Sequence, residues 1–260
     1  MIKYIDVHCH LDGDCYGDIS GLMQKIQSAG VQKIIAVGYD LSTSILSREF
    51  AEKYGFCYFT AGIHPTEVKK CSAGDLEKIA ELAAHPKCVA IGEIGLDYHY
   101  PDTDNKLQRQ FFVEQLELAH GLNLPVQIHS RDCAEDMLSL LKENARLINS
   151  GALLHCFSHS TEIALELEKL GVYFSFGGTS TWSGSKKAKR TIAQLNAERL
   201  LTETDSPYLP PKSAYGTFPN TPASIPEILK NMADVRNTGE EQMAQTVWQN
   251  AHTLFKKLQN

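Results

Sequence analysis

The sequence predicts an α/β fold, a closed (β/α)8 TIM barrel, on three observations. Eight short apolar stretches alternate with amphipathic ones along the whole chain, which is the rhythm of strand followed by helix. At 260 residues and 43% hydrophobic content the chain has enough material for one large core, and α/β barrels of this size are commonly one domain. The main alternative, an open doubly wound sheet, calls for a Gly-x-Gly-x-x-Gly turn after the first strand, where this chain reads HCHLDGDCYG. One barrel domain over 1–260 is therefore expected.

Taken in order, YIDVHCH is the first strand and DISGLMQKIQSAG the helix that returns from it. VQKIIAVG and STSILSREFAEKYG form the second pair, CYFTAGIHP and SAGDLEKIAELAAHP the third, CVAIGEIGLDY and NKLQRQFFVEQLELAHGLN the fourth. LPVQIHSR with DCAEDMLSLLKEN, GALLHCFS with STEIALELEKLG, and VYFSFGG with SKKAKRTIAQLN continue the alternation. The eighth strand, RLLTETDSP, precedes two helices in PASIPEILKNMADVR and GEEQMAQTVWQNAHTLFKKLQ. Between them, residues 206–226 hold six of the ten prolines, so periodicity is broken there. In a barrel this loop lies over the catalytic face.

Composition narrows the partners. The 25 Lys and Arg against 31 Asp and Glu give a net charge of −6, which disfavours nucleic-acid binding over the whole surface and leaves room for a local basic patch or for bound cations that invert the charge of a cleft. The seven cysteines form no CxxC pair, so neither a zinc knuckle nor a disulfide scaffold is expected. MIKYIDVHCH has no apolar segment behind a basic end, and no apolar run reaches membrane-spanning length. A cytoplasmic protein with no membrane contact and no obligate protein partner is the expectation.

His8 and His10 stand one residue apart on the first strand, so both imidazoles leave the same face while Cys9 points away. His129, His155, Glu93 and Asp205 lie at or near the ends of four other strands. Any one of them alone reads as an ordinary buried polar residue. Six at the same end of five strands need partners, and a shared metal centre supplies them. Four imidazoles and two carboxylates exceed the needs of one tetrahedral ion. The expectation is two divalent ions about 3.5 to 4 Å apart: His8, His10 and Asp205 on the first, His129 and His155 on the second, Glu93 bridging. Such a centre acidifies a water and stabilises phosphodiester oxygens during in-line displacement. Asp205 is a candidate to accept the water's proton. Imidazoles favour zinc, while carboxylates suit magnesium or manganese, so the metal is left as Mg, Mn or Zn.

The segments DVHCHLD, AGIHP, IGEIGLDY, PVQIHSRD, LHCFS, YFSFGG and LLTETDSPYL occur in the order found in the TatD family of metal-dependent deoxyribonucleases, a branch of the amidohydrolase-like barrels, which the chain resembles over nearly its full length. The resemblance implies a metal-dependent hydrolase barrel. It implies that His8, His10, Glu93, His129, His155 and Asp205 are metal ligands, that His64 faces the substrate, and that the substrate is DNA, with nucleotides removed from single-stranded or frayed 3′ ends. Two positions depart from the family pattern: His159 stands where glycine usually follows HCFS, and Phe218 and Pro219 precede Asn220 where a basic residue is common. His159 could narrow the pocket, donate to a phosphate or begin the following helix, and the last is the expectation.

Arg131, two residues after His129, could clamp a phosphate oxygen with its guanidinium fork; the bland alternative is an ion pair with Asp132, Glu135 or Asp136. Trp182 and the SKKAKR run, with Lys186, Lys187, Lys189 and Arg190, combine charge with an aromatic ring as single-strand binding requires; the bland alternative is a solvated helix end. Tyr98 and Tyr208 are further stacking candidates. A second function class, an amidohydrolase-type enzyme acting on an amide or ester such as an aminoacylated nucleic acid, would use nearly the same ligands without depending on Arg131. A non-catalytic nucleic-acid binder predicts degenerate ligands, and all six are present.

Overall fold

The computed structural model describes residues 2–11, 13–72 and 74–258. Asp12 of DVHCHLD and Ala73 of SAGDLEKIAELAAHP lie outside the described residues. Eight strands run β1 (Tyr4–Cys9), β2 (Val31–Val37), β3 (Cys57–Ala61), β4 (Cys88–Asp97), β5 (Val126–Arg131), β6 (Ala152–Leu154), β7 (Tyr173–Phe176) and β8 (Leu200–Thr202). They form one sheet in sequential order, and each neighbouring pair is parallel. Closure between β8 and β1 comes from the backbone just past the strand: Asp205 N–H donates to the His8 carbonyl (3.0 Å) and His10 N–H to the Ser206 carbonyl (2.7 Å). Below them, the Asp6 carboxyl accepts from the backbone N–H groups of His8 and Thr204 and from the Thr204 hydroxyl. Burial nonetheless pushes that carboxyl up to about 8. The expected (β/α)8 barrel is what the chain builds.

The strands read as near-continuous apolar runs because both faces are covered, one by the barrel interior and one by helices. All of β3 and β4 is buried, and β2 exposes only Gln32. The helix Asn105–Gly121 turns Phe112, Leu116 and Ala119 onto the barrel at helical spacing. Helix starts are set by acceptors for otherwise unpaired N–H groups. Asp18, Asp40 and Asp104 cap three of them, Asp40 reciprocally with Thr43, and such a cap contributes about 1 kcal/mol. Gly95 has φ +145°, and a Cβ there would meet the His129 carbonyl oxygen at 2.0 Å, so only glycine lets β4 lie this close to the strand carrying His129.

β6 and β8 are shorter than the apolar stretches GALLHCFS and RLLTETDSP. The reason is that the residues next to the site leave the ladder: Cys156 and Asp205 take left-handed backbone, φ 43° and 51°. Local conformations of this kind collect at functional sites. The proline-rich loop after β8 is pinned by Asn220, whose amide donates to the Tyr208 carbonyl (2.9 Å) and whose oxygen accepts from Thr221 N–H and Ser224 Oγ, both at 2.8 Å. Among the described residues no helix is long and apolar enough to cross a membrane, and all seven cysteines are free thiols.

Candidate metal centre

His8 and His10 share a face of the chain at the end of β1, as period-two alternation requires, and their Nε2 atoms lie 3.3 Å apart. Each ring is oriented from behind. Gln127 donates its amide N–H to the Val7 carbonyl (2.8 Å), which leaves its oxygen facing His8 Nδ1 at 2.9 Å. His10 Nδ1 faces the Val37 carbonyl at 3.1 Å. Oxygens that can only accept require N–H at both Nδ1 positions, so the two Nε2 atoms are turned toward each other and toward Glu93 Oε2 (3.6 and 3.8 Å) and Asp205 Oδ1 (3.7 and 3.4 Å). Burial, with His155 beside it, drives His8 well below the usual imidazole value, so its Nε2 carries a lone pair. Imidazole nitrogens this close, beside two carboxylate oxygens, form a donor set that a divalent cation completes.

The second half of the cluster uses the other oxygen of Glu93. Its Oε1 lies 2.9 Å from His129 Nδ1, 2.7 Å from His155 Nε2 and 3.4 Å from His64 Nε2. Burial works to raise the Glu93 carboxyl, but the surrounding imidazoles, His155 first, hold it well below the usual range. Burial is likewise overcome at Asp205, lowered by the imidazoles of His10, His8 and His155 around it, and at His155, raised by Glu93 and Glu203. Because the His8 and His155 rings stack at 3.8 Å and 4°, charge on one excludes charge on the other. Three overlapping groups have ligand atoms within 4.8 Å of one another: His8 with His10 and Glu93, His8 with His155 and Asp205, and His64 with Glu93 and His129. All six residues singled out as ligands are thus in one cluster.

His64 differs from the other rings. Its Nδ1 accepts from the Thr66 backbone N–H (3.2 Å), so the proton sits on Nε2, facing Glu93. Burial lowers its basicity. His64 is arranged as a neutral N–H donor at the edge of the cluster, not as a lone-pair donor.

The family model described as TatD related DNase matches residues 5–256. The chain belongs to that family. It is 37% identical over 253 residues to the metal-dependent hydrolase YabD of Bacillus subtilis, covering 96% of this chain and 98% of YabD. The 3′-5′ ssDNA/RNA exonuclease TatD of Escherichia coli K12 is 36% identical over 234 residues, covering 87% and 88%. The crystal structure of YjjV, a TatD homolog from Escherichia coli, superposes with a TM-score of 0.92 at 33% identity, over 97% of this chain and 98% of that one.

Beside the cluster of this TatD-family barrel, a cleft of about 1080 Å³ opens over β5 to β8, with His129, His155 and Asp205 at one end. Arg131 lines it, exposed, with its guanidinium 5.9 Å from the Tyr100 ring centre. No ion pair holds Arg131 among the described residues. Asp132 instead faces His99, and Asp136 takes Arg109 and the Tyr98 hydroxyl. Tyr98, expected as a stacking candidate, is therefore committed to Asp136 and does not line the cleft. His159 is a second correction. The following helix starts at Thr161 with Ser160 as its cap, and the His159 ring turns into the cleft, where Nε2 meets Ser130 Oγ at 2.7 Å. Of the SKKAKR run, Lys187 lines the cleft with Trp182, whereas Arg190 pairs with Glu162 at 2.7 Å. Tyr208 is exposed and lies next to Phe218.

Four polar residues of the site escape motif reading: Gln127 behind His8, Asp97 at 3.0 Å from His129 Nε2, Glu203 at 3.8 Å from His155 Nδ1, and Lys212, which lines the cleft. The signal for Gln127 was present in alternation, since a residue two before His129 shares its face one layer deeper in the barrel.

Proposed function

We propose that this TatD-family hydrolase cleaves phosphodiester bonds of DNA, removing nucleotides from single-stranded or frayed 3′ ends as one barrel domain in the cytoplasm, with no obligate protein partner. The observation that carries this reading is the division of Glu93. One oxygen faces His8 and His10, the other His129 and His155, as a carboxylate shared between two cation sites would. We assign His8, His10 and Asp205 to one divalent ion, His129 and His155 to a second, and Glu93 to both. Ions held there, Mg, Mn or Zn, supply Lewis acidity and an activated water. Asp205 stands beside the first site with a carboxylate held ionised, able to orient the attacking water and take its proton. His64 presents an N–H donor to an oxygen of the reacting group, and Arg131 offers a two-pronged grip on a neighbouring phosphate.

The exonuclease name of the Escherichia coli relative supports the 3′ direction. Hydrolysis of an amide or ester by the same ligands is the competing reading. The cleft favours the polyanion, because Arg131, Lys187 and Lys212 line it and, among the described residues, its one carboxylate is Asp205, at the cluster. Protein stripped with a chelator, resupplied with single metals and offered end-labelled single- and double-stranded DNA beside simple amides and esters decides between them. Metal-restored shortening of the single strand from its 3′ end is expected. Full activity in EDTA, or turnover of amides alone, would refute the proposal.

A further inference from the structure

The loop after β8 returns to the cleft at a place that motif reading does not reach. Tyr215 is 71% exposed, yet its ring stands edge-on to Trp182, with centroids 5.3 Å apart at 82°. Trp182 is held from behind by its indole N–H, which donates to the Pro210 carbonyl at 2.9 Å. The loop itself is fastened to the segment after β7, since Lys212 N–H donates to Thr181 Oγ1 (2.7 Å). A Cβ on Gly178 would meet the Leu209 carbonyl oxygen at 2.3 Å, so this close approach depends on glycine. The aromatic pair is therefore set on a fixed wall, with one ring open to solvent. Lys187 and Lys212 line the same cleft, and neither has an ion-pair partner among the described residues.

We propose that Trp182, Tyr215, Lys187 and Lys212 form a nucleotide subsite that holds the single strand on the 5′ side of the scissile bond, which makes turnover depend on strand length. The inference rests on the phosphodiesterase reading above and adds the place where the uncleaved strand lies. When a 3′-terminal nucleotide departs, the rest of the polymer lies 5′ of the cut. The cleft, at about 1080 Å³, is slightly larger than the roughly 300–1,000 Å³ of small-molecule sites, as suits a strand of more than one unit. An exposed ring with cations beside it meets a base and its phosphates without reading sequence, because every base has a π-face and every link a charge. The ring is oriented before the strand arrives, so little ordering cost attaches to stacking.

The test compares kcat/KM on a thymidine dinucleotide and dodecanucleotide for the metal-restored protein and its Tyr215→Ala and Tyr215→Phe variants. Truncation of so exposed a ring leaves the core untouched. Tyr215→Ala should lose about tenfold or more on the dodecanucleotide, the scale of one stacked base, and distinctly less on the dinucleotide, while Tyr215→Phe recovers most of the loss. Equal losses on both lengths, or no recovery with Phe, would overturn the subsite. A second readout does not need cleavage. The chain has two tryptophans, so in a Trp248→Phe background the dodecanucleotide, titrated in EDTA, should quench Trp182, and less so after Tyr215→Ala. Quenching without cleavage under any metal would sink the phosphodiesterase reading and keep the subsite; cleavage with no quenching and no length dependence would do the reverse.

Discussion

Two layers of the barrel interior, one above the other, treat polar side chains in different ways. In the upper layer His8, His10, Glu93, His129 and His155 turn nitrogen and oxygen atoms toward a common centre. In the lower layer Asp6 and Gln127, two residues earlier on β1 and β5, turn theirs to backbone N–H and C=O groups and to the backs of the rings above. The upper layer pairs its polar atoms with one another, Glu93 with His129 and His155. The lower one accounts for nearly every polar atom it holds. The difference teaches that the aim of the upper rings is set from below: a ring whose Nδ1–H is tied to a fixed oxygen has its Nε2 lone pair directed at the common centre.

If that division of labour holds, damage to the upper layer and to the lower layer should differ in kind. Glu93→Gln should be the most severe change. It removes the charge that faces both pairs of imidazoles, so the site should lose at least one equivalent of metal and activity should fall beyond the roughly 10²–10⁴-fold of a lost general base. Asp205→Asn comes next. It keeps an oxygen near His10 but removes the basic carboxylate, so metal content at saturating ion should stay near wild type while single-turnover cleavage drops by about a hundredfold or more. Measuring metal stoichiometry and cleavage on both variants in parallel separates them, and an Asp205→Asn protein cleaving at the wild-type rate with full metal would place the base elsewhere.

Gln127→Leu probes the lower layer with a milder expected effect. The leucine fills the space but offers no oxygen to His8 Nδ1, so the ring loses its fixed tautomer. Metal affinity should weaken by about 10–100-fold, with cleavage returning at high metal concentration because the ligands themselves are intact. A loss of kcat that excess metal does not restore would show that Gln127 acts on the reaction and not on the ring.

The same contrast explains what could be read from the chain alone. Strand and helix alternation and the polar residues at strand ends are local patterns, and both the barrel and the six clustered residues follow from them. Gln127 sits in PVQIHSRD and Asp97 in IGEIGLDY, inside segments already singled out, yet what each faces is decided by which strand lies next to it. Of the roles open to His159, the structure places it in the cleft and not at the helix start for a related reason: a polar residue before a helix usually caps it, but Ser160 takes that role and frees His159 to meet Ser130 across the gap between two strand ends. Tyr215 and Lys212 carry no periodic signal, since they lie in the proline-rich loop. Their position depends on its fastening at Thr181 and Asn220.

Asp97→Asn should have the smallest effect and is the sharpest test of the comparison, because Asp97 stands behind a ring as Gln127 does but carries a charge. Its Oδ2 lies 3.0 Å from His129 Nε2, and its Oδ1 accepts the His99 N–H at 3.0 Å. Burial works to raise this carboxyl, and the hydrogen bonds from His129 and His99 hold it below its ordinary value, so it is an anion pressed against the back of the ring. An asparagine oxygen can take the same hydrogen bond and preserve ring orientation, so only the charge is lost. A carboxylate behind an imidazole makes the opposite nitrogen a stronger donor, which means the variant should weaken metal binding on the His129 side by up to about tenfold, the low end of the outer-partner range, and leave kcat at saturating metal nearly unchanged. Titrating stripped protein with Mn or Zn while following occupancy and cleavage measures both. An Asp97→Asn protein that binds both equivalents like wild type would mean that orientation alone matters behind these rings, and the distinction between a charged and a neutral acceptor would fall, leaving Gln127 and Asp97 as equivalent supports.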